Sequence, residues 1–361
     1  MKRIIQPKRW LPFASLFFIC LFLTNGDILA QTDSTAVKDS SSVKDGSAVA
    51  DSSVEVTDTT IAPSRKKPAK ATFQSVWIID NQTVMVPIKG AMEMDIQHRF
   101  GTVNNGTKDL WGLLGAGANI RLGMSYSPIN RLNLGIGITK DNMLLDLSAK
   151  YAIITQLKGK YPVSITYYGN AADNTKKEVA IYDGSVIAHT SDRYVFFNQL
   201  IIARKFSNKL SLQIAPSVSH QNAVSGYYTD TLGKIFKSMK HDHFAFSVAG
   251  RYKLTTVTSI IFNYDQPITK HATNNPDPNL SLGFEFNSSG HTFQVFAGNY
   301  YYLNPQRNNL YNTNSAFGFN DLSKTHPDRR TDDPATTKDE SMRVKGGRFL
   351  IGFNITRLWY Y

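Results

Sequence analysis

From Ala91 to the C-terminus, apolar and polar residues alternate with a period of two, the spacing of an extended strand with one apolar face. Met92, Met94 and Ile96 oppose Glu93, Asp95 and Gln97. Ala118, Ile120, Leu122, Met124 and Tyr126 oppose Asn119, Arg121, Gly123 and Ser125. Leu132 to Ile138 and Leu145 to Tyr151 repeat the pattern, and a shorter strand is expected over Val163 to Tyr168. In the second half the same alternation covers Leu210 to Ala215, Phe244 to Lys253, Ile260 to Asp265, Leu280 to Asn287, His291 to Tyr302 and Gly346 to Tyr361. Arg193 to Phe206 is apolar on both faces, so its register is not readable. No sustained helical period interrupts these segments.

The last strand carries the pattern furthest. Phe349, Ile351, Phe353 and Ile355 fall on one side, Leu350, Gly352, Asn354 and Thr356 on the other, and Trp359, Tyr360 and Tyr361 close the chain. One apolar face, one small or polar face and a terminal aromatic girdle describe a strand of an outer-membrane barrel. The set predicts about twelve strands, an even number, each long enough to cross a bilayer when tilted. The connections are expected to alternate. Thr102–Gly117, Lys140–Asn142, Gly169–Asp192, Ala223–His241, Lys270–Asp277 and Leu303–Lys345 form an outward set, long except for Lys140–Asn142. Pro128–Arg131, Gln156–Tyr161, Ser207–Lys209, Thr255–Thr258 and Ser288–Gly290 form a short inward set. A soluble β-sandwich would show no such rhythm. The predicted fold is an all-β, antiparallel up-and-down transmembrane β-barrel.

The N-terminus supplies a route to a membrane. Lys2, Arg3, Lys8 and Arg9 precede an apolar run from Leu11 to Thr24, and Ile28-Leu29-Ala30 before Gln31 offers a cleavage site. That is the anatomy of a secretory signal peptide over residues 1–30. The 14-residue run is shorter than the roughly 20 residues of a spanning helix. Cys20 is the only cysteine and lies inside this segment, between Ile19 and Leu21, which does not suit a lipid-modified cysteine. The exported chain is therefore expected to hold no disulfide and no thiolate metal site.

Residues 31–72 form a Ser/Asp/Thr-rich island in which Asp33, Asp39, Asp45 and Asp51 recur every six residues. Four imperfect, polar copies are too few for a β-helix. The segment lacks the apolar surface needed to offset its ordering entropy. It reads as a disordered tether, spanning on the order of 35 Å as a coil, with the barrel domain over 73–361. Loss of residues 1–31 lowers the net charge from +12 to +9. In an exported chain that excess is expected to meet anionic lipid phosphates rather than nucleic acid.

Candidate chemistry concentrates on the inward faces. Glu93, Asp95, Arg99, Arg121, Asp146, Lys150, Arg251, Lys253, Asp265 and Glu285 are expected to line the lumen. They read either as mutually paired charges filling it or as the wall of a polar channel for small solutes. Both signs are equally represented, whereas a charge-selective pore usually shows a surplus of one. His220, His241 and His243 bring imidazoles, ligands suited to zinc or copper, to the outer rim. His241 and His243 are expected to share a face, with His220 on the opposite one and no fourth ligand assured. Ser217 and Ser219 flank His220, but adjacent strand residues point apart, so a serine-hydrolase arrangement is not supported. Asp242 is expected to face away from both His241 and His243. No catalytic, cofactor-binding or metal-binding residue is assigned.

The segment Ile79-Asp80-Asn81-Gln82 leading into Ile96-Gln97-His98-Arg99-Phe100-Gly101 resembles the opening of an uncharacterised gram-negative β-barrel family whose members carry a domain of unknown function. Ala118 to Gly123, Leu200 to Phe206, Ala215-Pro216-Ser217 with His220 and Asn222, Gly290 to Gln294 and Gly352 to Arg357 resemble later segments of the same family. The resemblance covers about residues 75–361. It departs at Gly135–Leu145, where Ile138-Thr139-Lys140-Asp141 replaces a shorter basic turn and leaves the second hairpin's register open. It implies the fold and carries no activity or site residues. The expectation is a barrel in the cell outer membrane, with its tether in the periplasm and lipid as its first partner. Its role would be transport of small solutes or scaffolding; an outer-membrane hydrolase or metal-dependent enzyme with a site at the outer rim is the alternative.

Overall fold

A computed structural model of the chain describes residues 72–114, 117–176, 189–224, 226–228, 235–237, 239–271, 275–316 and 349–360. The expected leader and, apart from Thr72, the expected tether lie outside the described residues.

Twelve antiparallel strands close into a barrel in which each pairs with its sequence neighbours and the last pairs with the first. We label the wall strands β1 (Met92–Thr102), β2 (Asn119–Ile129), β3 (Leu132–Thr139), β4 (Leu144–Ile154), β5 (Ser164–Asn174) and β6 (Tyr194–Lys205). The second half comprises β7 (Leu210–Gln221), β8 (Asp242–Lys253), β9 (Thr258–Pro267), β10 (Asn279–Ser288), β11 (His291–Gly298) and β12 (Leu350–Trp359). Closure leaves no sheet edge for another chain to pair with. The β12–β1 seam sets Asn354 opposite Gln97 and Thr356 opposite Asp95.

The alternation is physical, not formal. Leu122, Met124, Ile136, Ile138, Leu147, Leu282, Phe284 and Val295 are exposed on the outer face, while their sequence neighbours point inward and are buried or half-buried. An apolar outer band running round the whole wall is a lipid-facing surface. Tyr126 and Tyr252, also exposed, lie at the short-turn end beside Met92 and Leu210 respectively, where amphipathic rings suit the membrane–water boundary.

Several expected limits shift. β5 is not short: it runs through Asn174, because Ala171, Ala172 and Asp173 continue to pair with β6. β11 ends at Gly298 and β12 begins at Leu350, so the two are shorter than their apolar patterns suggested. The β3–β4 hairpin, whose register the resemblance left open, pairs without a break from Leu132↔Tyr151 to Thr139↔Leu144. The tight β3–β4 turn at Asp141–Met143 forms because Asn142 and Met143 adopt left-handed φ values of 55° and 47°.

The largest departure concerns residues 73–91, which are not wall. Trp77–Ile78 and Asn81–Gln82 form a two-stranded hairpin whose contacts are with inward-facing wall residues. From the opposite rim, part of the β11–β12 connection also turns inward as helix α1 (Pro305–Tyr311), started by a proline at its first turn. Only residues 299–316 of that connection, and residue 349, are described. The interior of the barrel is therefore filled from both ends, and an apolar cluster forms inside it. Phe73, Ile78, Ile79 and Val84 of the inserted segment pack with Tyr168, Phe197, Ile201, Ala203, Ala215, Ala249, Ile261 and Phe296 of the wall, and with Tyr300. This explains β6. On its inner face Phe197, Ile201 and Ala203 are apolar because they meet protein, with Gln199 the polar exception that reaches the hairpin, and its outer face is largely apolar because it meets lipid.

Candidate functional site

The polar contacts that hold the hairpin are built from long wall side chains reaching a short, turned backbone. Ile79 at its tip has φ of 56°, a left-handed conformation costly for a β-branched residue. Both of its backbone groups are clamped. Its N–H donates to Gln294 Oε1 at 3.0 Å, and its carbonyl accepts from Asn354 Nδ2 at 2.6 Å. Gln294 Nε2 also donates to the Trp77 carbonyl at 2.9 Å. Gln213 Nε2 reaches the Gln82 carbonyl at 2.9 Å, and Thr166 Oγ1 the Val84 carbonyl at 3.1 Å. The wall thus satisfies backbone groups that would otherwise be buried without partners.

The hairpin side chains in turn complete the wall's charges. Asp80 Oδ1 pairs with Arg99, whose side chain is fully buried, and Asp80 Oδ2 accepts from Asn308 Nδ2 of α1 at 3.2 Å. One carboxylate therefore joins wall, hairpin and helix. Asn81 Nδ2 donates to Asn263 Oδ1 at 2.6 Å and to Asp265 Oδ1 at 2.8 Å, while Asn81 Oδ1 accepts from Gln199 at 3.1 Å. Lys150 Nζ donates to Gln82 Oε1 at 2.9 Å and to the Val76 carbonyl at 3.4 Å.

Other wall charges are self-sufficient. Arg121 bridges Asp95 at 2.7 Å and Asp146 at 2.8 Å, with its guanidinium 5.3 Å from the Trp77 ring. Gly123 and Gly137 make this triad possible. A Cβ on Gly123 would lie 2.3 Å from Asp95 Oδ1, and one on Gly137 would lie 2.1 Å from an Arg121 nitrogen. Arg251 pairs with Glu285 at 2.6 Å. Glu93 is buried and Lys253 half-buried, both near the short-turn rim.

All ten charged residues singled out in the sequence face inward, but mutual pairing describes only part of them. Arg121, Asp95, Asp146, Arg251 and Glu285 pair within the wall. Arg99, Lys150 and Asp265 each take a partner from the hairpin, because residues 75–84 lie between the facing walls, while Asp265 Oδ2 also accepts from the wall residues Asn263 and Asn279 at 3.2 and 3.3 Å. Sequence reasoning did not identify Asp80, Asn81 and Gln82 as interior residues; the doubly apolar β6 was the signal for something apolar inside. Likewise, Asn304, Asn308, Asn309, Asn312 and Asn314 announce an amide-rich insert in the β11–β12 connection. Asn309 and Asn312 reach Asn279 at 3.3 and 2.8 Å, and Gln306 reaches Asn170 at 3.1 Å.

The histidines divide differently from the expectation. His243 is buried and inward, with its Nδ1 2.9 Å from Nε2 of His271, a residue the sequence had not marked. His271 Nδ1 accepts from the Lys240 N–H at 3.0 Å, so His271 Nε2 bears the proton that meets His243. Burial, and then Lys240, hold the His271 imidazole below its ordinary pKa. Burial first, and then the carboxylate of Asp80, raise the Tyr300 phenol well above its own ordinary value. His241 does not share the face of His243. It stacks on His220 at 6.1 Å, because it precedes β8 and its ring turns to the Gln221 carbonyl. Asp242 pairs with His220 at 2.6 Å. Ser217 and Ser219 are buried on the inner face, away from His220. Among the described residues no group of three or more His, Cys, Asp or Glu is placed to hold a metal ion.

The family described as membrane bound beta barrel domain (DUF5777) matches residues 73–359, and the chain belongs to it. Among curated protein sequences none matches. Of solved structures, the NanC porin is similar with a TM-score of 0.41 at 7% identity, over 74% of this chain and 99% of that one. The KdgM porin gives 0.37 at 10% identity, over 73% and 98%. BamA from Haemophilus ducreyi lacking POTRA domains 1-3 gives 0.31 at 9% identity, over 58% and 40%.

Proposed function

We propose that this membrane-bound barrel is a plug-gated conduit for small polar solutes in the outer membrane. One observation carries the reading: three wall charges, Arg99, Lys150 and Asp265, each bond the inserted hairpin. Withdrawal of residues 75–84 would return those groups to water and turn a filled interior into a polar passage. The Arg121 and Arg251 pairs belong to the wall and would stay.

The connectivity supports withdrawal as a unit. Ser75 contacts Thr356 at 3.1 Å, Val84 is held by Thr166, and residues 85–91 run directly into β1. Both ends of the hairpin thus lie toward the short-turn rim, and only its tip reaches Asn308. In the orientation we favour, that rim faces the periplasm, so a pull on the chain from Thr72 would draw the hairpin out without breaking a hydrogen bond between wall strands. Helix α1 would be displaced independently from the opposite side.

A second reading, a permanently filled scaffold, is favoured by the apolar cluster around Ile78 and Ile79. A disulfide lock separates the two. An Asn81→Cys/Asn263→Cys protein is reconstituted into planar bilayers beside the parent and a variant lacking residues 73–84. We expect the deletion variant to conduct, the parent to be nearly silent, and the locked protein to stay silent even when the N-terminal segment is pulled, until a reductant is added. A variant lacking both residues 73–84 and helix α1 that folds but never conducts would establish the scaffold.

A further inference from the structure

The connection from β1 to β2 carries a feature that neither barrel closure nor the plug requires. After a 3₁₀ turn (Val103–Asp109), Leu110 and Trp111 both adopt left-handed φ, 51° and 55°. Gly112 follows at φ 84°, where an added Cβ would sit 2.3 Å from the Gly101 carbonyl oxygen. The strained turn is held in one shape. Trp111 N–H donates to the Gly106 carbonyl at 2.6 Å, Gly112 N–H to Asp109 Oδ1 at 2.9 Å, and Gly101 N–H to the Gly112 carbonyl at 3.0 Å. The last bond folds the loop back along the end of β1.

What the loop presents is apolar. Leu110, Trp111, Leu113 and Leu114 are 44, 50, 42 and 75% exposed, a concentration that a water-facing loop avoids. Leu113 also joins Phe100, Phe293, Val295, Ile351 and Phe353 in lining a surface furrow of about 330 Å³. Those partners are outer-face residues of β1, β11 and β12. The furrow runs along the β11–β12 seam from Ile355 to Ile351, about 13 Å at strand rise, and ends under Leu113. The loop's apolar surface is thus continuous with the lipid-facing band.

We propose that this loop is a membrane-embedded collar, and that the furrow beneath it seats one hydrocarbon chain of a bilayer lipid at the closing seam. The furrow lies within the apolar outer band, the side chains that line it from that face are aliphatic and aromatic, and Trp111 supplies the amphipathic ring that settles at the membrane–water boundary. The strain at Leu110 and Trp111 aims these side chains outward, where a relaxed turn would not hold them. The proposal does not depend on whether the barrel conducts.

The test uses the full chain with Trp111 as its only tryptophan (Trp10, Trp77 and Trp359 replaced by Phe) and a second protein in which Leu113→Trp is the only reporter, carried with Trp111→Phe. Both are reconstituted into phosphatidylcholine vesicles with bromine at chosen acyl-chain depths, and folding is verified by a heat-dependent gel shift. We expect both indoles to emit to the blue of an exposed tryptophan, to lose most of their emission to acyl-chain bromine and to resist iodide. Trp111 should respond most to shallow bromines, and the Leu113→Trp indole to deeper ones. Emission quenched by iodide and indifferent to bromine would overturn the proposal, as would shielding from both quenchers, which would indicate a protein covering this face. If Leu113→Trp fails to fold, Trp111 alone decides by the same two criteria.

Discussion

Single residues in this barrel show that interior charges depend on geometry supplied by their neighbours. The Arg121 triad fits only because Gly123 and Gly137 leave room beside it. Gly137→Ala is expected to push the guanidinium off Asp146 and leave charge buried without a matched partner, destabilising the fold by about 3 kcal/mol; urea unfolding of the reconstituted variant against the parent measures it. Asp80→Asn is a milder change in shape with a comparable local cost, because Arg99 keeps its place but loses the carboxylate it pairs with. That loss belongs to hairpin docking rather than to the wall, so it should appear as faster protease cleavage near residues 73–91 with little change in global unfolding. His271 supplies a pH response. Its folded pKa lies below the ordinary value through burial and Lys240, so the undocked loop takes up a proton first. Docking of residues 268–271 is complete above the ordinary histidine value and weakens as pH falls through it. Protection of the Lys240 amide, which donates to His271, measured relative to its intrinsic exchange rate, should fall between about pH 7 and pH 5, and a His271→Gln variant should lose that dependence.

At the scale of elements, the hairpin combines two kinds of holding force, and their magnitudes decide how it behaves. Phe73, Ile78, Ile79 and Val84 each bury an apolar side chain worth about 2 kcal/mol. The four together oppose withdrawal by roughly 8 kcal/mol, an open population on the order of one in a million. Thermal motion alone therefore keeps the parent silent, and opening requires work or a ligand. The polar contacts contribute less to the average hold, since withdrawal exchanges them for water, but they fix the register of the tip. Gln294→Ala with Asn354→Ala removes both clamps on the strained Ile79. We expect the hairpin to stay inserted but to sample several registers, seen as broadened signals from a spin label at Asn81→Cys and as rare conductance bursts absent from the parent. Element identity was largely legible from the chain, because the period-two pattern is imposed directly by lipid outside and protein or water inside. The hairpin was not. Residues 73–84 have no amphipathic period of their own, and their partners, Gln294, Asn354 and Asp265 among them, lie far away in sequence. Its trace was indirect, in the inner face of β6. The same holds for His271, which sits in a loop where alternation gives no orientation.

For the whole molecule, the distribution of charge inside the wall constrains what an unplugged barrel could select. The inward charges singled out in the sequence are Glu93, Asp95, Asp146, Asp265 and Glu285 against Arg99, Arg121, Lys150, Arg251 and Lys253, five of each sign. This balance was readable from the sequence, whereas which charges would be left unpaired was not, since that depends on the hairpin. When the hairpin is in place Asp80 neutralises Arg99; when it is absent, Arg99 and Lys150 lose their hairpin partners on one part of the wall and Asp265 loses Asn81 on another. Ion selectivity in a wide passage follows the net potential along its length and is screened within about 8 Å at physiological salt. Opposite charges interspersed around one lumen therefore largely cancel for an ion on the axis. The barrel lacking residues 73–84 is accordingly expected to conduct cations and anions nearly equally, with a reversal potential close to zero in a potassium chloride gradient. Removing one sign should expose the cancellation. In the same deletion background Arg99→Gln with Lys150→Gln leaves the acidic residues in excess, and the reversal potential should shift toward cation preference, more strongly at low salt than at high. A deletion variant already strongly selective, or a double substitution without effect, would mean that the conducting path avoids these residues and that the hairpin blocks something other than the lumen they line.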